Sequence, residues 1–208
     1  MSSTPVIRRA QSQDRDGVVA TIAAASAQDP GWAVILGEDY GRLAADFAGT
    51  LFDARVAGKT VLVTDDLAGV AMWDPPGKGE GSAGAGEYAE GVWARYRAIA
   101  GEEAWGRLAS YDDAVATAVP AEPHWYLGVL ATHPERRREG LAIALLSPIL
   151  DGLRSERDLV FCIAGHVGHD TREAVQKKCR KLGVRFRYAE TPNMIVELLS
   201  SGLGGDTT

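Results

Sequence analysis

The chain predicts a mixed α/β sheet wrapped by helices, and three observations lead there. Strand-like and helix-like segments follow in the order strand, helix, helix, strands, helix, strand, helix, strands. The length, 208 residues, suits one well-buried core and is short for two. Hydrophobic residues make up 46% and charged residues 24%, ordinary for a globular domain, so residues 1–208 are expected to form one domain without internal repeats.

Each element has its own local signal. Val6 to Arg8 is a short strand. Asp14 precedes the helical spacing of Val18, Val19, Ile22, Ala23 and Ala25, which should end near the breaker Asp29-Pro30-Gly31. A second helix is expected from Asp39 to Val56, with Leu43, Phe47, Leu51 and Phe52 on one face. Thr60 to Thr64 and Ala68 to Trp73 form a hairpin around Asp65-Asp66. The glycine-rich run 74–86 reads as a flexible exposed loop. Glu87 to Val119 is a helix-rich insert carrying Tyr88, Val92, Trp93, Tyr96, Trp105 and Leu108, a candidate to cover the active site or to form a homodimer surface.

After it come a strand from His124, with an apolar run Tyr126 to Ala131, and a helix from Gly140. Leu141, Leu145, Ile149 and Leu153 recur every four residues, a buried stripe, and Pro148 should kink that helix. A strand Leu159 to Ala164, a helix Asp170 to Leu182 and strands near Val184–Ala189 and Met194–Leu199 complete the chain. Asp170 and Glu173 have capping-box spacing, and Gly183 supplies the helix stop.

Charge and composition exclude several functions. The net charge is −6 with no basic half or tail, against nucleic-acid binding and compatible with a cationic amine substrate. The N-terminus lacks an apolar stretch of signal-peptide length, and no run approaches a membrane span, so a cytoplasmic protein without a membrane partner is expected. Two cysteines make no disulfide scaffold in a chain this long and are read as free thiols. Cys162, His166, His169 and Cys179 have zinc-compatible donors, but their spacing matches no common finger and no metal is expected.

The most informative segment runs from Thr132 to Leu146, THPERRREGLAIALL. It leaves a strand, crosses a basic turn with Arg136, Arg137 and Arg138, and enters a helix with Arg137, Gly140 and Ala142 in the order Arg-x-x-Gly-x-Ala. A helix start presents unpaired N–H groups and a positive dipole end to an anion, and small residues allow the backbone to approach it. Those features point to a phosphate or pyrophosphate site; the alternative is a surface connection with a solvated basic patch. Neither the dinucleotide-fold glycine pattern nor that of P-loop NTPases fits.

On these residues the segment His124 to Leu150 resembles the acetyl-CoA-binding motif of the GNAT superfamily of N-acyltransferases, with Arg137, Gly140 and Ala142 in the family's Gln/Arg-x-x-Gly-x-Gly/Ala and Pro134 at its usual proline. Gly69 to Gly77 and the run Leu145 to Leu150 resemble a branch that includes puromycin N-acetyltransferase. The resemblance implies a GNAT-like fold, a mostly antiparallel sheet flanked by helices in which strands 4 and 5 splay apart. It implies acetyl-CoA as co-substrate, its pantetheine arm along Leu130, Ala131 and Thr132 and its pyrophosphate among Arg137, Arg138, Glu139, Gly140, Leu141, Ala142 and Ile143. The implied activity is acetyl transfer to a primary amine of a small molecule by direct attack in a ternary complex.

Such a transfer needs amine deprotonation, a polarised thioester carbonyl and a proton for the departing thiolate. In the family a tyrosine often supplies that proton; counting back from Leu182-Gly183-Val184, its place here is held by Cys179. The thiol itself, another group or a water could donate instead, and a buried structural cysteine is the plainer reading. The same substitution motivates the alternative of a CoA-binding or sensing module with weakened catalysis; transfer to a protein or of a longer acyl group is another. His124 and Tyr126 alternate on one face of the strand and are candidate bases. Asp74, Asp29 or Glu38 could steer a cation, and Trp32 and Trp73, with Trp93 and Trp125, could wall an acceptor pocket, although core roles suit most of them.

Overall fold

Six strands form one sheet in sequential order from β1 to β6 in a computed structural model that describes residues 5–58, 60–75, 87–118, 125–153, 159–163 and 169–189. β1 (Ile7–Arg9), β2 (Val61–Thr64), β3 (Gly69–Asp74) and β4 (Trp125–Thr132) pair antiparallel in turn. β5 (Leu159–Ile163) and β6 (Arg185–Ala189) add two parallel pairings. A parallel neighbour requires a crossover, which α5 (Leu141–Leu150) and α6 (His169–Leu182) provide. The antiparallel β2–β3 pair needs only a tight turn, in which the Thr64 hydroxyl donates to Asp66 Oδ1 at 2.7 Å.

Strand alternation divides the core into two layers. Val61, Val63, Val70 and Met72 point to one face, where Val18, Ile22, Leu43, Phe47 and Phe52 from α1 (Arg15–Ser26) and α3 (Tyr40–Val56) bury them. Leu62, Ala71 and Trp73 point to the other, against Leu145, Leu146 and Leu150 of α5 and Val175 and Cys179 of α6. The expected stripe on α5 is thus carried by Leu141, Leu145, Leu146 and Leu150, with Leu153 beyond the helix and Ile149 only half-buried. The helix runs through Pro148 and stops two residues later. α6 ends as its glycine suggests: Gly183 takes φ +68°, the Val184 N–H donates to Cys179 O at 2.9 Å, and the Gly183 N–H donates to Arg180 O at 3.3 Å.

Two elements differ from the sequence reading. Asp29-Pro30-Gly31 begins a helix, α2 (Pro30–Leu36), where a breaker was expected. Asp29 is its N-cap, accepting from the Trp32 N–H at 3.0 Å, and proline at the first helical position has no amide to waste. The insert is α4 (Glu87–Ala118), interrupted at Gly101, whose φ of +82° is outside the helical range. Arg42 donates to the carbonyls of Ile99 (3.0 Å) and Ala100 (3.4 Å) freed at that break. Tyr96, Ala100, Ala104 and Leu108 join the α1–α3 core, so α4 is woven into that layer. Arg107 ties it to α2 by donating to the carbonyls of Ile35 (3.1 Å) and Leu36 (2.9 Å).

Asp74 closes β3 and so belongs to the sheet, outside the expected loop; 76–86, His124, His166 and the strand expected at 194–199 lie outside the described residues. Among the described residues no helix is long and apolar enough to cross a membrane.

Candidate functional site

β4 is paired differently along its two edges. Its β3 edge is hydrogen-bonded from Tyr126, opposite Asp74, to Thr132, opposite Gly69. Its β5 edge pairs only at Trp125, opposite Val160, and Tyr126, opposite Phe161. From Leu127 to Thr132 that edge has no strand partner among the described residues, so Leu130, Ala131 and Thr132 present main-chain groups to a cleft between two parting strands. The register along β3 also slips between Met72 and Trp73, whose partners are Val129 and Leu127. Gly128 is the extra residue, a β-bulge that takes one peptide out of the regular ladder.

The far end of β4 leads into the basic turn. Arg138 and Gly140 both adopt left-handed backbone, φ +66° and +80°, which folds the chain back before α5. Gly140 is the N-cap and offers no side chain to the first-turn amides of Leu141, Ala142 and Ile143. The turn is braced from outside. Arg136 is bound to Asp66 and to Glu139, the latter at 2.8 Å, and Arg137 donates to Ala25 O at the end of α1 at 3.3 Å. Asp66 is held down to about 2, first by the Thr64 hydroxyl and also by Arg136. Glu139 is therefore occupied by Arg136, while Arg138 is exposed beside the open helix end.

Strand parity separates the other predicted residues. Trp73 is 2% exposed between the sheet and α5–α6, edge-on to Trp125, and its indole N–H has no partner among the described residues. Asp74, one residue on, faces the opposite layer and is gripped by Arg55 of α3 through two bonds, Nε–Oδ1 at 3.0 Å and Nη2–Oδ2 at 2.8 Å. The carboxylate expected to meet an amine is thus neutralised by a buried guanidinium. Trp32 packs edge-on against Phe47 with ring centroids 4.9 Å apart, as part of the α1–α4 core. Cys179 is 1% exposed in the α5–α6 layer, and burial pushes its thiol up to about 11.

Tyr126 lies opposite Asp74 and shares its face. Burial pushes its phenol well above the ordinary range, with Tyr111, Asp74 and Asp112 adding to the effect and Arg55 opposing it. Tyr111 and Asp112 come from the C-terminal half of α4, and neither they nor Arg55 were singled out by sequence reasoning. Burial raises Tyr111 to about 12 and Asp112 to about 6, the latter despite the attraction of Arg55 and an exposed outer face. A Cβ built on Gly128 would stand 2.8 Å from Arg55 Nη2, and one on Gly31 3.9 Å from the Tyr111 hydroxyl. The bulge of β4, Tyr126 and the Arg55–Asp74 pair therefore form one polar cluster. Among the described residues no group of three His, Cys, Asp or Glu gathers as a metal site.

No protein-family model matches the chain, and no curated protein matches its sequence. Among solved structures it is similar to a histone acetyltransferase HPA2 and related acetyltransferase from Corynebacterium glutamicum, at 23% identity and a TM-score of 0.50, over 72% of this chain and 72% of that one. A mosquito arylalkylamine N-acetyltransferase like 5b superposes over 71% of this chain and 70% of that one, at 18% identity and a TM-score of 0.44. At such identities the likeness concerns the backbone. The mixed sheet flanked by helices described here is the fold that the chain shares with the Corynebacterium glutamicum acetyltransferase structure.

Proposed function

We propose that the chain is an acetyl-CoA-dependent N-acetyltransferase that acts on a primary amine of a small molecule by direct attack in a ternary complex. The observation that carries this reading is the opening of β4 from β5 after Tyr126, continued into an α5 N-terminus that Gly140 leaves without a side-chain cap. The free edge at Leu130 to Thr132 suits the amides of a pantetheine arm. The amides of Leu141 to Ile143, with Arg138 alongside, suit a diphosphate. The bulge at Gly128 supplies a peptide N–H outside the ladder that can polarise a thioester carbonyl.

Tyr126 is the phenol nearest that bulge, and it holds its proton throughout the working pH range because burial raises it. It is the group we assign to protonating the departing sulfur; Cys179, enclosed in the α5–α6 core, is given a packing role. Calorimetry with CoA tests the reading. The wild-type chain should bind, and Gly140→Val should lose at least about tenfold in affinity. A β-branched residue at φ +80° costs roughly 1–2 kcal/mol of backbone strain and redirects the first-turn amides. Undiminished affinity in that variant would remove the diphosphate from this helix end.

A further inference from the structure

We infer that Asp66 is a positioning residue for the cofactor: by anchoring Arg136 to the β2–β3 turn it fixes the 136–140 turn in the form that opens the α5 amides to the diphosphate of coenzyme A. The inference rests on the acetyltransferase reading above and adds to it a residue that acts from another part of the sheet.

Backbone strain marks both sides of this bridge. Among the described residues only Leu67 and Arg138, glycines aside, take left-handed backbone, at φ +59° and +66°. A side chain in that region is unfavourable and persists where its surroundings fix it. One guanidinium joins the two turns: Arg136 donates to Asp66 Oδ2 through Nη1 and to Glu139 Oε2 through Nε, the latter at 2.8 Å. Glu139 lies three residues on, so the same side chain closes the turn around Arg138 and ties it to the neighbouring hairpin.

Asp66 is a fixed anchor. Its Oδ1 accepts from the Thr64 hydroxyl at 2.7 Å and from the Ala68 N–H at 3.1 Å, which leaves Oδ2 to Arg136. The Thr64 oxygen accepts in turn from the Gly69 N–H at 2.9 Å. The hairpin turn is also tied to α1, where the buried Thr21 hydroxyl donates to Leu67 O at 2.7 Å. At the end of β4 the His133 N–H donates to Ala68 O at 2.8 Å. Arg136 and Glu139 are thus committed within the protein, and Arg137 spends one N–H on Ala25 O at 3.3 Å. Arg138 has no partner among the described residues, so it and the amides of Leu141, Ala142 and Ile143 are what the turn presents to an anion.

Charge alone would argue the other way, since removing a carboxylate near an anion site raises the local potential. The Asp66 charge is already offset by Arg136, however, and exposed charges are screened beyond about 8 Å at physiological salt. Amide donors depend instead on direction, and direction is what the anchored turn supplies.

The test is calorimetry with CoA, dephospho-CoA and pantetheine on wild type, Asp66→Asn, Arg136→Gln and the double variant. Asparagine keeps the oxygen that serves Thr64 and Ala68 and turns an NH₂ group toward the guanidinium, so only the tie to Arg136 is cut. Affinity for CoA should fall about fivefold in Asp66→Asn, the upper end for a partly exposed pair. Dephospho-CoA, which keeps the diphosphate and lacks the 3′-phosphate, should lose as much. Pantetheine has no diphosphate and, titrated at millimolar concentration, should bind all four chains alike. Because the two residues act through one contact, the double variant should lose no more than Arg136→Gln alone. Unchanged or tighter CoA binding in Asp66→Asn, a loss shared by pantetheine, or additive losses in the double variant would each overturn the inference. Failure of the wild-type chain to bind CoA would instead bring down the acetyltransferase reading on which it rests.

Discussion

Replacing Arg55 of α3 with leucine should be among the most damaging single changes in the chain, and the reason is the carboxylate left behind. The Arg55 and Asp74 side chains are only 3% and 12% exposed, so water cannot replace the guanidinium. Two charge-assisted bonds are lost, at 3.0 and 2.8 Å, while the weak third one to Leu51 O at 3.4 Å adds little. Unit charges about 4 Å apart attract by roughly 4 kcal/mol at an effective dielectric near 20. Stranding one partner of a buried pair costs about 3–5 kcal/mol. That corresponds to roughly two to nearly four powers of ten in the folding equilibrium.

The double variant Arg55→Leu/Asp74→Leu behaves differently, because no charge is stranded and apolar replacements of such pairs are often near neutral. Urea unfolding followed by tryptophan fluorescence would report both. With a slope of about 2 kcal/mol/M, the single variant should lose about 2 M in midpoint and the double variant should recover most of it. A loss below about 1 kcal/mol in Arg55→Leu is the behaviour of a solvated surface pair and would refute the reasoning.

Three further outcomes follow from the α6 layer. Cys179→Ala should leave the pH profile of turnover unchanged and cost about 1 kcal/mol or slightly more in stability. In the wild type, peptide mapping after iodoacetamide treatment should find Cys179 unmodified until urea is added, since the thiol is buried and stays protonated up to about 11. Gly183→Ala should destabilise by about 1–2 kcal/mol in the same urea experiment, from its φ of +68° alone, because a Cβ there meets nothing within 4 Å; CoA affinity measured by calorimetry should not change.

What could be read from sequence was whatever rests on neighbouring residues. The turn from Thr132 to Leu146 was legible because its logic is local: a strand end, a glycine in left-handed backbone and an apolar helix lie within fifteen residues. The α6 stop at Gly183 was legible for the same reason. α2 was missed because aspartate followed by proline signals both a turn and a helix start, and the choice is made by packing: Trp32 reaches Phe47. The polar cluster under β4 was missed because its members are far apart in the chain. Arg55 and Asp74 are 19 positions apart, and Tyr126 and Gly128 join them from a third element. No periodicity encodes such distances.

One part of the site was nevertheless implicit in strand alternation. Trp73 and Asp74 are adjacent in β3, so they cannot both line one pocket; an unbroken strand sends them to opposite layers. Tyr126, opposite Asp74, takes the α3–α4 side, and Leu127, opposite Trp73, takes the α5–α6 side. Without the bulge, Val129 would follow Leu127 to the α5–α6 side. With Gly128 inserted, it joins Met72 in the α1–α4 core. The phase change therefore falls between the polar cluster below Tyr126 and the free edge from Leu130 onward. Each half of β4 keeps a packed face, and the irregular peptide is left where they meet. On the acetyltransferase reading, that peptide is where a thioester reaching in along the free edge meets an amine approaching from the side of Arg55. A side chain at position 128 would press on the Arg55 guanidinium at 2.8 Å, so the same glycine that permits the bulge also permits the ion pair beneath it.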